Sequence, residues 1–374
     1  MIPPGNFLTK HHLIMQTLNE TFNKTDFLNA LNDRILRSQQ LLFSTQSDSG
    51  YWCGELESNS SIEAEYIFLT YFLGVVDDEV NSKVARHILS KQREDGTWGQ
   101  YFDAPGDLST TTECYFALKL VGHAETEAYM EKARDFILSK GRLKNVRVFS
   151  KIWLALFGQW KWSEIPILPV ELILLPAWFP GNIYDFAAWA RSTIVPLLIV
   201  LDRKPIRVIP KSQFIDELYS KPRSEIDGVL QLDRRKIGWE SVFVIADWMA
   251  KKLEKIPWNP IRSLAMKKAE DWILDHQEKD GSWGGIQPPW VYSLIALNCL
   301  GYKNTNPVVK HGLEGFKEFS IEENDTLRIQ ACVSPLWDTA LALTGLLDSG
   351  IPTSHPSLVK AYDYLISNQI LESG

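Results

Sequence analysis

Apolar residues along much of the chain fall at i, i+3 and i+4, one face of an α-helix, as in Ala269, Trp272 and Ile273 or Ala361, Tyr364 and Leu365. Several of these runs lead into a polar turn carrying glycine and tryptophan. Lys268 to Gln277 runs into Gly281-Ser282-Trp283, and Lys83 to Gln92 runs into Gly96-Thr97-Trp98 in the same register. Arg37 to Gln46, with Gly50 and Trp52, is a third copy. Lys132 to Gly141 is a worn fourth without the Gln and the Trp, and Lys360 to Gln369 opens a fifth. That fifth copy reaches Gly374 before its Trp, so the pattern is expected to break off in mid-unit. The intervals from Gln46 through Gln92, Gly141 and Gln277 to Gln369 are 46, 49, 136 and 92 residues, close to one, one, three and two steps of about 46. A unit of that length holds two helices and their turns. In each turn Gly supplies the left-handed backbone that stops the helix, and the Trp just beyond can fold back onto neighbouring helices. Gln46, Trp52, Gln92, Trp98, Gln277 and Trp283 are accordingly read as structural staples.

Composition fits a large helical protein. The 374 residues are 45% hydrophobic and 23% charged, enough for a substantial core in one to three domains. A net charge of −7 argues against nucleic acid as a partner, because phosphate binding needs a basic face. Cys53, Cys114, Cys299 and Cys332 lie far apart with no CxxC spacing, which points away from a zinc cluster or a disulfide framework and toward reduced thiols in the cytoplasm. No metal and no cofactor are expected. Met1 to Leu13 has two prolines and His11-His12 and does not read as a signal peptide. The most apolar stretch, Ile165 to Pro180, is broken by Pro166, Pro169, Glu171 and Pro176 and is read as irregular buried chain; Ile194 to Leu201 is too short to span a bilayer. Asp202 to Lys236, with Lys204-Pro205, Lys221-Pro222 and Asp233-Arg234-Arg235, is the expected long connection.

Three further phrases join the Gln-x(3)-Gly-x-Trp turns: Gly284-Gly285-Ile286-Gln287-Pro288-Pro289-Trp290, Asn182 through Arg191, and Ser334-Pro335-Leu336-Trp337-Asp338-Thr339. Together they resemble squalene-hopene cyclase, a class II triterpene cyclase. The likeness runs in order through nearly all of the chain, but over only the first part of a family member. It implies an all-α fold of two α/α barrels, or toroids, one inserted into the other. By that resemblance residues 57–332 form the inserted six-hairpin barrel. Residues 1–56 and 333–374 are the N-terminal helices and first hairpin of the other barrel, the rest of which is absent from these residues.

The resemblance also implies a chemistry: an alkene is protonated and the carbocation runs down a pre-folded polyene, squalene or a relative, to hopene or hopanol. An alkene is a very weak base, so the acid must be a polarised, protonated carboxyl group. In the family this is an Asp-x-Asp-Asp motif, and the 374 residues contain none. No residue here is therefore assigned to proton donation, and the chain is expected to be inactive alone or to need a separate C-terminal half chain. Trp189 and Trp337 match positions that stabilise the cation. Glu65, Gln287, Pro288 and Tyr292 match the polar end where water sits, and Phe186 and Ile194 match the channel constriction. Without the family match, Trp189 would read as core. Glu113, Arg147 and Trp153 match family phrases as well, with Glu113 and Arg147 read as a buried charge pair. Asp77-Asp78-Glu79 looks like the acidic motif of class I terpene synthases but is read as a solvated turn, and Asp338 as a helix cap.

Family members lie on one face of the membrane, so a peripheral attachment is expected. An unpaired last hairpin would leave Leu341, Leu343, Leu346 and Leu347 exposed and could drive homodimer formation. The repeat by itself leaves a helical binding or scaffold protein open, since HEAT and armadillo solenoids share periods of about 40 to 47 residues. A prenyltransferase β-subunit would need an Asp, Cys and His zinc site, and the seven His and four Cys form no such phrase.

Overall fold

The structure, a computed structural model, describes residues 24–220 and 260–371. Lys221-Pro222, Asp233-Arg234-Arg235, the segment Met1 to Leu13 and Gly374 lie outside the described residues. The helices in chain order are α1 (Lys24–Thr45), α2 (Ser61–Leu73), α3 (Asp78–Ser90), α4 (Leu108–Val121), α5 (Ala128–Ser139), α6 (Val148–Leu156) and α7 (Ala188–Arg203). They continue with α8 (Pro260–Asp275), α9 (Gln287–Cys299), α10 (Pro307–Phe319), α11 (Pro335–Asp348) and α12 (Pro356–Ser367). A short antiparallel hairpin, β1 (Ser320–Glu323) and β2 (Thr326–Ile329), follows α10. Nothing in the periodicity announces it.

Two compact units emerge. One comprises the described residues of Met1–Gly54 and Ser334–Gly374, the other those of Glu55–Val333. In the larger unit, helices alternate between two environments. Ten of the 13 residues of α2, 12 of the 14 of α4 and ten of the 13 of α9 are buried, whereas α3, α5 and α10 bury five, three and five. The first set is buried nearly all round and forms an inner layer; the second is amphipathic and covers it, the layering of an α/α toroid. The chain also comes back on itself: α9 packs on α2, where Gln287 Nε2 donates to the Ile62 carbonyl at 2.8 Å across 225 residues of sequence.

The three Gln–Gly–Trp turns share one hydrogen-bond scheme. Gln92 Nε2 donates to Gly96 O (2.9 Å) and to Tyr129 O, near the start of α5, the next outer helix (3.0 Å). Gln277 Nε2 does the same with Gly281 O (3.1 Å) and Val308 O (2.9 Å), and Gln46 Nε2 with Gly50 O and Ser357 O (both 2.8 Å). Each Trp indole N–H returns to a carbonyl ten residues earlier: Trp98 to Ile88 (2.7 Å), Trp283 to Ile273 (2.7 Å) and Trp52 to Leu42 (2.6 Å). Those are among the last carbonyls of a helix, which have no partner within it. The turn glycine is obligatory for two reasons. Gly96 has φ +80°, and a Cβ there would sit 2.3 Å from Lys132 Cβ; at Gly281, with φ +89°, it would sit 2.4 Å from His311 O. In both copies the obstructing residue lies three positions after the carbonyl that the Gln holds.

Elsewhere the sequence reading needs adjustment. Val170 and Ile173 are buried as expected of the proline-broken stretch, but Trp178 is 81% exposed. Of the leucines expected to be uncovered, Leu341 and Leu347 are exposed, Leu343 is half-buried and Leu346 is fully buried with Trp52, Leu358 and Ala361 in the core of the smaller unit. Leu346, on α11, shares that core with two apolar residues of α12 and one of the Trp52 turn. Among the described residues no helix is long and apolar enough to cross a membrane.

Replacing Trp98 by Phe keeps most of the ring and strands the Ile88 carbonyl in a dry site. It should lower unfolding free energy by about 1–3 kcal/mol in chemical denaturation, and a change within error would remove the indole bond from the account.

Candidate functional site

A polar cluster interrupts the apolar inner layer of the larger unit. Glu113 on α4 is almost fully buried, and its oxygens are occupied: Ser61 Oγ donates to Oε2, Ser150 Oγ donates to Oε1, and Arg147 Nη2 lies 3.6 Å from Oε2. Arg147 also lies 3.7 Å from Asp107 Oδ1 and donates to Thr110 Oγ1 at 3.3 Å. The charge pair expected between Glu113 and Arg147 thus forms, with the guanidinium partly exposed and the carboxylate buried.

Glu65, on α2, sits differently. Its Oε2 is buried and has no hydrogen-bond partner in the protein. Burial pushes its carboxyl group up to about 8, and the neighbouring Glu113 charge pushes the same way. The Trp153 indole and Arg147 oppose that shift, the indole without closing a hydrogen bond. Tyr292 on α9 is buried and stacks on Trp153 of α6, with centroids 5.4 Å apart and planes at 27°. Its phenol is held well above the usual range, first by burial and then by the Glu65 and Glu113 charges.

Gln287 opens α9. Its backbone N–H donates to Ala331 O (2.9 Å) and its amide to Ile62 O, one turn before Glu65 on α2. Pro288, half-buried beside it, is placed where a helix start needs no N–H. Four buried polar atoms of the cluster meet no protein partner: Glu65 Oε2, Trp153 Nε1, Gln287 Oε1 and Tyr292 Oη. Buried polar atoms are rarely left so. The set contains donors and acceptors, the chemistry that seats an oxygen-bearing guest such as water. Ser61 and Ser150 were not singled out in the sequence; a serine within an apolar helix is too ordinary to signal a carboxylate partner on another helix.

The aromatic residues are placed otherwise. Trp189, in the first turn of α7, is 65% exposed, so it is not a core residue, and Phe186 just before α7 is 44% exposed. Ile194 is half-buried and packs on the core. Trp337 belongs to the smaller unit, at the start of α11, and is 68% exposed. Asp338 Oδ2 accepts from Gly54 N–H at 2.8 Å and its Oδ1 from Ser334 Oγ at 3.2 Å, both within that unit, so it acts as a backbone anchor. Asp77 caps α3, accepting from the N–H groups of Glu79 and Val80 at 3.1 Å.

Alternating inner and outer helices around carboxyl groups buried in the inner layer define the class: an α/α toroid with an ionisable interior. Comparison with known proteins narrows it. The family described as squalene-hopene cyclase N-terminal domain matches residues 35–325, and its C-terminal domain counterpart matches residues 333–374. A squalene–hopene cyclase of Alicyclobacillus acidocaldarius is 41% identical over 339 residues, 90% of this chain and 53% of that protein. A dammaradiene synthase of Dryopteris crassirhizoma is 40% identical over 342 residues, 91% and 49% of the two chains. A squalene hopane cyclase of Aspergillus fumigatus is 38% identical over 305 residues, 80% and 41%. The chain belongs to the squalene-hopene cyclase family. It spans about half the length of the curated relatives it matches.

Glu65 yields a pH signature. Its folded-state value of about 8 is above the ordinary 4.5, so its contribution to stability is full below about pH 4.5 and is lost as pH rises through about 8. Glu65→Gln cannot titrate. The variant should therefore gain thermal stability relative to the unmodified chain between pH 5 and pH 9, and an equal melting difference at the two pH values would refute a neutral buried Glu65.

Proposed function

We propose that this chain supplies the N-terminal half of a triterpene cyclase acting on squalene or a related polyprene. The observation that carries the reading is the set of Glu65, Trp153, Gln287 and Tyr292, whose buried polar atoms meet no partner in the protein and whose positions resemble the family's polar end. In such a reaction a proton adds to a terminal alkene, and each new ring moves the cationic carbon along the chain. Trp189 and Trp337 present exposed indole surface, and a cation over an indole gains about 2 kcal/mol or more once the remaining polypeptide covers it and excludes water. At a tenfold rate per 1.36 kcal/mol, one such contact is worth about a factor of 30. Phe186 and Ile194 would border the route inward, while Glu65, Gln287, Pro288 and Tyr292 would hold the water that ends the sequence. The proton itself is assigned to polypeptide outside these 374 residues, because they contain no Asp-x-Asp-Asp motif.

The same reading places the protein on a membrane surface, where squalene dissolves. Exposed Trp178 and Val208 give it apolar contact there, and exposed Leu341 and Leu347 could seat a second chain.

Purified chain incubated with squalene should give neither hopene nor hopanol. Adding a second polypeptide that carries the acidic motif and the remainder of the second barrel should restore cyclisation, and Trp189→Ala in that mixture should slow it about tenfold or more. Product from the chain alone would contradict the division of labour, and a Trp189→Ala rate equal to the parent's would remove Trp189 from the cavity.

A further inference from the structure

Two carboxyl groups share one buried cluster, and the protein surrounds them unequally. Glu113 receives a hydrogen bond on each oxygen, from Ser61 on α2 and Ser150 on α6, with Arg147 3.6 Å away. Both serines are buried, at 8% and 1% exposure, and each gives its one hydroxyl proton to Glu113. Burial raises the Glu113 carboxyl group above its ordinary range, and the two serine hydroxyls, followed by the Arg147 guanidinium, are what draw it back toward the anion. Glu65 Oε2 has no such donor. Around it stand an anion-bearing neighbour, the Trp153–Tyr292 stack and, one turn away on its own helix, the carbonyl that Gln287 occupies.

We propose that Ser61 and Ser150 are positioning residues for the terminating end of the site: by filling the oxygens of Glu113 they assign the anion to Glu113 and the proton to Glu65. Glu65 then presents a hydrogen-bond donor to the guest, and Gln287 Oε1 presents the acceptor. The inference rests on the proposed cyclase reading for its purpose, but not for its geometry. The charged and titratable groups facing Glu65 are Glu113 and Arg147, with Tyr292 across from it; Asp107 acts on Glu113. Arg147 is shared between Glu113 and Asp107, so it cannot fix the Glu113 anion alone, and the serines are the donors that Glu113 does not share.

The test is infrared spectroscopy of the 374-residue chain labelled with ¹³C in the glutamate carboxyl groups, followed across pH. Glu65→Gln should remove one protonated-carboxyl band that in the unmodified chain survives above neutral pH and fades near pH 8. In the Ser61→Ala/Ser150→Ala double variant Glu113 takes up the proton, Glu65 loses its anionic neighbour, and the midpoint of that band should fall by about one pH unit. Glu113→Gln should lower it likewise, and Ser61→Thr/Ser150→Thr should restore it. If the double variant does not fold by circular dichroism, each single variant should show the same direction at smaller size. The proposal is overturned if Glu65→Gln leaves every band in place, or if the midpoint stays put in folded serine variants. Because no substrate is present, failure of cyclisation in the complemented enzyme would leave this result unaffected.

Discussion

One glutamine amide bonded to two backbone carbonyls at once is the contact on which this architecture turns. In three places it joins the glycine turn after one helix to the beginning of another, α5, α10 or α12, and an indole N–H ties the same turn back to the preceding helix end. A buried carbonyl without a partner costs about 1–3 kcal/mol. Three carbonyls per turn are therefore satisfied by two side chains, with a left-handed glycine bringing the helix held by the Gln too close for any Cβ. Because the turn does this at its own site, the inner helices commit no polar residue to it and can be buried on nearly every side.

That freedom gives the polar residues of the inner layer their meaning. Glu113, Glu65 and Gln287 stand on helices that contribute most of their residues to the core, where each charge must be answered by named donors or suppressed. Glu113 is answered by two serines and an arginine; Glu65 is suppressed by burial and by Glu113. The same scaffold that excludes water from the helices thus builds two buried carboxyl groups with unequal surroundings, one with a hydroxyl donor on each oxygen and one with an unpartnered oxygen.

The staples were legible in the sequence because they are local: Gln, Gly and Trp lie within seven residues and obey one geometry, so the period of about 46 exposes them. The polar end was legible only through family resemblance, since Glu65, Gln287 and Tyr292 are scattered over 228 residues and meet through packing. What stayed hidden is what depends on the partner helix. Without the family match Trp189 would read as core, and the structure leaves it exposed; Leu346 was expected bare and is buried between α12 and the Trp52 turn. Ser61 and Ser150 carry no pattern at all, and the β1–β2 hairpin depends on Glu63 Oε1 accepting from Ile329 N–H across 266 residues.

The most direct measurement is native-state hydrogen exchange at the tryptophan indoles, read by NMR on chain labelled with ¹⁵N in tryptophan. If the turns are the clamps described, the Trp98 and Trp283 N–H groups exchange only through global opening of the larger unit, and their opening free energy falls with denaturant as steeply as that of the slowest backbone amides. Exchange of either indole through a shallow, denaturant-independent local opening would contradict the account.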